Sequence, residues 1–340
     1  MKKITFKNKC PVPEWMPEYK KKFREDADLY FTNALEQVPF LADSSIEIIY
    51  FLQGVGSIVA KVVSDSGYAY VMKTTESFNH TSNEICTYKA SHDARIKVPR
   101  LFFDGVQDGL PFFLMEYFDT GTLSDRLEKG EMTLDEVAQI KNKFFCDVKK
   151  IEGKGCCWSV SYENGMLKGN FKDINEYIDK WFGDTDFIEI AYRHMPQISW
   201  EKDFQYYSTK LKKENNSMCK LGIFDFQNGH VFAGNPPAMF DMSLRLEPDY
   251  FDLAQLIIPF PESTNETSIY LIRSTFAEYK KNFGEINIEK LTTAVWLNSY
   301  RKATNQLKHS DERRMKNGLH ILSVISDTNT LRGHVEGYLI

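Results

Sequence analysis

Several features that would commit a sequence to a class are missing from this chain of 340 residues. No run of about 18 apolar residues occurs, so no membrane-spanning helix is expected. The amino-terminal Met1-Lys2-Lys3-Ile4-Thr5-Phe6-Lys7 has lysines but no apolar stretch behind them, and no secretory signal is expected. A basic field is absent: the formal net charge is −5, which argues against broad nucleic-acid binding. Cysteine is scarce, with 6 in all (Cys10, Cys86, Cys146, Cys156, Cys157 and Cys219) and no C-x-x-C pair. The adjacent Cys156-Cys157 is a poor frame for zinc or a disulfide, so reduced thiols in a cytoplasm are the expectation. Repeats and low-complexity tracts are also lacking. Aromatics, by contrast, make up 14% of the chain, which excludes wholesale disorder.

The pattern changes along the chain. Lys20 to Glu36 fits an amphipathic helix. Three β-rich runs follow, at Ile46–Leu52, Ser57–Val63 and Tyr68–Lys73, with Asp65-Ser66-Gly67 as a turn between the last two. Ser82 to Ala94 is helical by composition. Val98–Phe103 and Pro111–Tyr117 read as two more strands around Asp108-Gly109. Beyond Gly121 the pattern is mostly helical, broken by short strands at Val231–Ala233 and Ala238–Asp241. Three segments are expected: a helical extension (1–45), a small β-rich lobe (46–118) and a helical lobe (119–340).

Three clusters carry potential chemistry. Gln53-Gly54-Val55-Gly56-Ser57 lies between two strands, where glycine backbone can approach phosphate oxygens; it also reads as a plain hairpin turn. It lacks both a dinucleotide fingerprint and a Walker lysine. Val71-Met72-Lys73 ends a strand, and Val71 and Lys73 share one face. A lysine pointing inward there must meet an anion. Glu84 follows on the next helix. A strand lysine held by a helix glutamate beneath a glycine-rich flap is how kinases hold the phosphates of ATP. The third cluster is the hairpin from Ile223-Phe224-Asp225 to Phe240-Asp241-Met242. Its two aspartates can serve as proton acceptor and metal ligand, or simply cap turns.

In this order the motifs resemble the aminoglycoside phosphotransferase and choline kinase-like branch of the protein-kinase-like superfamily, over about residues 46–300. Gly54 and Gly56 match the flap, Lys73 the strand lysine and Glu84 the helix glutamate. Leu114-Met115-Glu116-Tyr117 matches the hinge. Asp225 takes the place of the catalytic aspartate, Phe240-Asp241-Met242-Ser243 that of the metal motif, and Tyr250-Phe251-Asp252-Leu253-Ala254 a following Asp-Leu-Ala segment.

The resemblance implies an α+β bilobed protein-kinase-like fold, with a small antiparallel-sheet lobe built on one main helix and a larger helical lobe. It implies ATP and Mg²⁺ as cofactors. Gly54, Gly56, Ser57 and Lys73 would contact phosphates, with Glu84 orienting Lys73; Val71 and the backbone near Glu116 and Tyr117 would meet adenine. Asp225 would be the base, and Asp241 with His230 the metal ligands. The pattern departs at Ile223, where the family has histidine, and at His230, where it has asparagine. Imidazole suits Mn²⁺ better than Mg²⁺, and Asn228 could serve instead by a register shift. A small-molecule acceptor is expected, and from Asp241 to Lys290 the sequence holds 9 acidic against 5 basic residues, which suits a cationic one. The alternative is a nucleotide-binding pseudokinase or scaffold. A protein kinase is disfavoured by the absence of His-Arg-Asp and Ala-Pro-Glu segments.

Overall fold

The computed structural model describes residues 3–339 apart from 15, 53–55, 152, 184, 215–218, 225, 242, 262–264 and 310. In chain order the first elements are β1 (Ile4–Phe6), α1 (Glu18–Glu25), α2 (Ala27–Glu36), β2 (Ile46–Tyr50), β3 (Ile58–Ser64), β4 (Ala69–Thr74), α3 (Phe78–Asp93), β5 (Leu101–Gln107) and β6 (Leu110–Glu116). Then come α4 (Leu123–Glu128), α5 (Leu134–Val148), β7 (Gly153–Lys154), β8 (Cys156–Glu163), β9 (Met166–Phe171), α6 (Ile174–Trp181), α7 (Thr185–His194) and α8 (Trp200–Glu214). The remainder is β10 (Lys220–Phe224), β11 (Val231–Phe232), β12 (Ala238–Met239), β13 (Ser243–Glu247), α9 (Phe251–Leu256), α10 (Glu266–Phe283), α11 (Ile288–Leu307), α12 (Glu312–Ile325) and α13 (Thr328–Glu336). These elements form two compact units, Met1–Thr122 with Gly229–Met242, and Leu123–Asn228 with Ser243–Ile340.

The first unit is built on a six-stranded sheet of order β1-β2-β3-β4-β6-β5. β1 runs parallel to β2, with Ile4 opposite Ile46, and the other pairings are antiparallel. Side chains alternate faces along a strand. Ile58, Ala60 and Val62 of β3 therefore point one way, and all three are buried. α2 covers that face with Ala27, Tyr30, Phe31, Ala34 and Leu35, a helical stripe meeting Ile46, Ile48, Tyr50, Met72 and Leu114. Burying each large apolar side chain contributes about 1.5–3 kcal/mol. Met72 faces α2, so its neighbours Val71 and Lys73 face the other way, onto the side that receives α3. The sequence suggests one helix from Lys20 to Glu36. The structure has two, because Asp26 (φ −89°, ψ 6°) leaves the helical conformation and is the terminal residue of both.

In the second unit α11 is the central helix. Leu291, Ala294, Val295, Trp296, Leu297, Tyr300 and Ala303 are all fully buried. Two small sheets accompany the helices, β7-β9-β8 and β10-β13. The first sheet lies in a stretch where the sequence suggested no strands. A signal was present: Asn164-Gly165 has positive φ at both residues (52° and 78°), the conformation of a tight hairpin turn. The cysteines are not wholly reduced, as the sequence had suggested. Cys156 and Cys219 form a disulfide across 63 residues of sequence, while Cys10, Cys86 and Cys146 are not disulfide-bonded. Only the fold brings the pair together, so no local spacing announced it. Among the described residues no helix is long and apolar enough to cross a membrane.

Candidate functional site

Lys73 lies in the interior of the first unit, at 4% exposure, and Glu84 at 5%. β4 delivers Lys73 to the α3 face of the sheet, where it stands opposite Phe113 of β6 and Val59 of β3. Lys73 Nζ donates to Glu84 Oε1 at 3.0 Å and lies 2.8 Å from Oε2. The same ammonium donates to Asp241 Oδ1. One cation thus sits between two carboxylates that are 157 residues apart (241 − 84) in the sequence.

Asp241 follows the β11–β12 hairpin, which is stitched into this unit by backbone bonds. Ala233 N–H donates to Gly121 O at 2.9 Å, Met239 N–H to Lys97 O at 3.0 Å and Phe240 N–H to His230 O at 2.9 Å. Asp241 itself is left-handed, with φ 48°, a conformation that aspartate tolerates better than most residues. His230 Nε2 lies 3.8 Å from Asp241 Oδ2.

The electrostatics follow from burial and the shared lysine. Burial disfavours the Lys73 ammonium, but Glu84 and Asp241 together outweigh it and hold its pKa above the ordinary lysine value. Burial would raise Asp241 too, yet Lys73 beside it brings the pKa below the usual aspartate value. Glu84 is the weaker acid of the two: burial pushes it up to about 7 against the pull of Lys73, and the Asp241 charge adds to the rise. The proton stays on lysine, and Asp241 is the firmly ionised partner.

Sequence reasoning missed Tyr88. It lies one turn beyond Glu84 on α3, on the same helix face, and is fully buried. Its hydroxyl donates to Glu84 Oε1 at 3.3 Å and accepts the Asp241 backbone N–H at 3.1 Å. The i, i+4 spacing from Glu84 was the only available signal.

The other expected nucleotide contacts are placed as follows. Gly54 lies outside the described residues. Gly56 has open space where a Cβ would stand, so packing of this chain does not require glycine there. Ser57 gives its carbonyl to the buried Arg24 at 3.0 Å. Val71 is buried, at 6% exposure, on the Lys73 face. Glu116 ends β6; its N–H donates to Arg100 O at 2.9 Å and its Oε2 accepts Arg100 N–H at 3.1 Å. The Tyr117 ring lies beneath Lys61 Nζ at 4.0 Å, and Phe118 stacks on Phe232.

Asp225 also lies outside the described residues. The strand leading to it, β10, belongs to the second unit and pairs with β13, Ile223 opposite Leu244 and Phe224 opposite Ser243. Ile223, where the family has histidine, is 3% exposed. Gly222 permits a close approach: a Cβ there would meet Asp252 Cβ at 2.7 Å. Asp252, 5% exposed, is held by Lys149, whose side chain is 7% exposed, and accepts the Leu253 N–H at 2.9 Å. It braces the second unit, mainly through a lysine that the sequence did not single out. Lys141 of α5 donates to Phe226 O at 2.9 Å, and burial pushes its pKa down to about 8.

The donors present suit a hard cation completed by phosphate oxygens and water. Within the first unit it is Asp241 that offers the carboxylate. Among the described residues, no three His, Cys, Asp or Glu side chains gather into a ready-made cage.

No protein-family model matches this sequence, and no curated protein matches it. Solved structures do. A candidate fructosamine-3-kinase from Haemophilus somnus 129PT aligns with TM-score 0.58 and 11% identity, covering 87% of this chain and 99% of that one. A choline/ethanolamine kinase family protein from Mesorhizobium loti aligns with TM-score 0.55 and 11% identity, covering 92% and 99%. The GDP complex of wild-type aminoglycoside 2′-phosphotransferase-IIIa aligns with TM-score 0.51 and 14% identity, covering 88% and 99%. At such low identity the likeness is one of fold, and the chain has the α+β protein-kinase-like fold in a divergent sequence.

Proposed function

We propose that this chain is a phosphotransferase that moves the γ-phosphoryl group of ATP to a hydroxyl of a small molecule. The carrying observation is the buried Lys73, paired with Glu84 and joined to Asp241. A buried ion pair is weak evidence of stability alone, so its presence at the end of β4 calls for a functional reason. In this reading Lys73 holds the α- and β-phosphates, Glu84 fixes the lysine, and Gly54, Gly56 and Ser57 cover the phosphates. Val71 lines the base pocket, and backbone near Glu116 and Tyr117 meets adenine. Asp225 takes the proton as the acceptor oxygen bonds to phosphorus and the bond to the ADP oxygen breaks. Asp241, with His230, holds Mg²⁺ or Mn²⁺, which when bound neutralises charge on the phosphates.

The acceptor class is proposed from two lines of support. The segment from Asp241 to Lys290 is acidic in balance, with 9 acidic and 5 basic residues. The structural neighbours are named for fructosamine, choline/ethanolamine and aminoglycosides, all amine-bearing alcohols. A cationic amino alcohol or amino sugar is therefore the substrate class we assign, with no role for nucleic acid. The test is phosphoryl transfer from ATP or GTP to a panel of such amines, with wild type and Asp225→Ala. Transfer that Asp225→Ala abolishes, with ATP affinity within a few fold, is the expected result. Collapse of ATP affinity in Asp225→Ala would instead make Asp225 a structural or metal residue.

A second reading is favoured by one observation. Ile223 replaces the family's loop histidine with a buried apolar side chain. A nucleotide-binding scaffold would bind ATP and turn over no member of that panel.

A further inference from the structure

We propose that Tyr88 is a positioning residue for the metal-dependent part of nucleotide binding, an inference that rests on the kinase reading above. Tyr88 is fully buried, and its ring packs against Phe113 with centroids 5.7 Å apart. A phenylalanine would serve that packing equally well. The hydroxyl is costly in such surroundings unless it is hydrogen-bonded. It has two partners, and both belong to the candidate site. It accepts the Asp241 N–H at 3.1 Å and donates to Glu84 Oε1 at 3.3 Å.

The geometry explains why a hydroxyl is needed there. Asp241 is left-handed, with φ 48°, and its N–H is outside any strand or helix ladder. Without an acceptor that N–H has no reason to stay in place, and the carboxylate it carries would turn with it. Tyr88 supplies the acceptor from a rigid helix. The same oxygen, donating to Glu84, sets where that carboxylate can lie. One phenol thereby fixes both anions that grip Lys73, by a main-chain bond to one and a side-chain bond to the other. The consequence is a fixed direction for the Asp241 carboxylate, which matters most when a cation and phosphates must be bound together.

The test compares wild type with Tyr88→Phe. Thermal melts are recorded with ATP alone and across a Mg²⁺ titration. The expected result is that Tyr88→Phe keeps the metal-free ATP shift within a degree or two, while the Mg²⁺ concentration giving half the added shift rises at least fivefold. In turnover, kcat should fall about tenfold or more while KM for ATP at saturating Mg²⁺ changes less than threefold. An unchanged Mg²⁺ midpoint and kcat, with normal Mg²⁺ dependence in wild type, would overturn the role of Tyr88 alone. Absence of any ATP effect in wild type would defeat the kinase reading and this inference with it. A second measurement needs no variant: amide exchange of wild type without ligand. Asp241 N–H should exchange at least a hundredfold more slowly than its intrinsic rate, and exchange near the intrinsic rate overturns the proposal even if Tyr88→Phe does not fold.

Discussion

Lys73 Nζ lies 2.8 Å from Glu84 Oε2 with both side chains 5% exposed, so removing Lys73 leaves the Glu84 carboxylate buried without its cation. Replacing one partner of such a pair typically costs ~3–5 kcal/mol, because the survivor is left charged or must neutralise. Lys73→Met should therefore destabilise the protein by about that amount in urea unfolding. The double variant Lys73→Met/Glu84→Leu should recover most of the loss. Equal stability of Lys73→Met and wild type would mean that Glu84 is already neutral and the pair is not an ion pair.

Glu247 sets a pH dependence that is independent of the candidate site. It is 4% exposed, and burial pushes its pKa up to about 7 despite Arg245 nearby. The folded state thus binds the proton more tightly than the unfolded chain does. The stability this gives is fully present below about pH 4.5 and is lost as pH rises through about 7. A shift of this size corresponds to ~3 kcal/mol. Glu247→Gln should be nearly as stable as wild type at pH 4.5 and more stable by roughly 2–3 kcal/mol at pH 8. A constant difference across that range would remove Glu247 as the source.

The Cys156–Cys219 bridge closes a loop of 63 residues in the second unit. Chain-entropy arguments give a bridge of that span up to ~4 kcal/mol. Dithiothreitol should lower the melting temperature of wild type, and Cys156→Ser/Cys219→Ser should melt at the reduced wild-type value in either condition. Identical wild-type melts with and without reductant, with both thiols shown to be free by alkylation in the untreated sample, would contradict the bridge.

How much of this was legible beforehand depends on the reach of each interaction. β3 and β4 show alternating or β-branched runs, so the sheet and the inward face of Lys73 could be read from period alone. Glu84, 11 residues on, could be paired with Lys73 through the strand-lysine and helix-glutamate pattern of the resembled family. Tyr88 could not be assigned, since its hydroxyl meets a backbone N–H 153 residues away. Lys149 was hidden for the same reason, with its partner Asp252 103 residues away. The β7–β9 sheet was missed where it was locally readable, at Asn164-Gly165. The disulfide was missed because vicinal Cys156-Cys157 looked unpromising, and the partner of Cys156, Cys219, lies 63 residues away just before β10.

The most direct test of the central claim is a thermal-melt series with ATP and with no metal, Mg²⁺ or Mn²⁺, on wild type and Lys73→Ala. A ligand that binds only the folded state stabilises it by ~2.7 kcal/mol at a hundredfold excess over its dissociation constant. The predicted result is a metal-dependent upward shift in wild type that Lys73→Ala loses relative to its own ligand-free melt, with Mn²⁺ exceeding Mg²⁺ if His230 is a ligand. No shift in wild type with any of the three conditions would contradict a nucleotide site at Lys73.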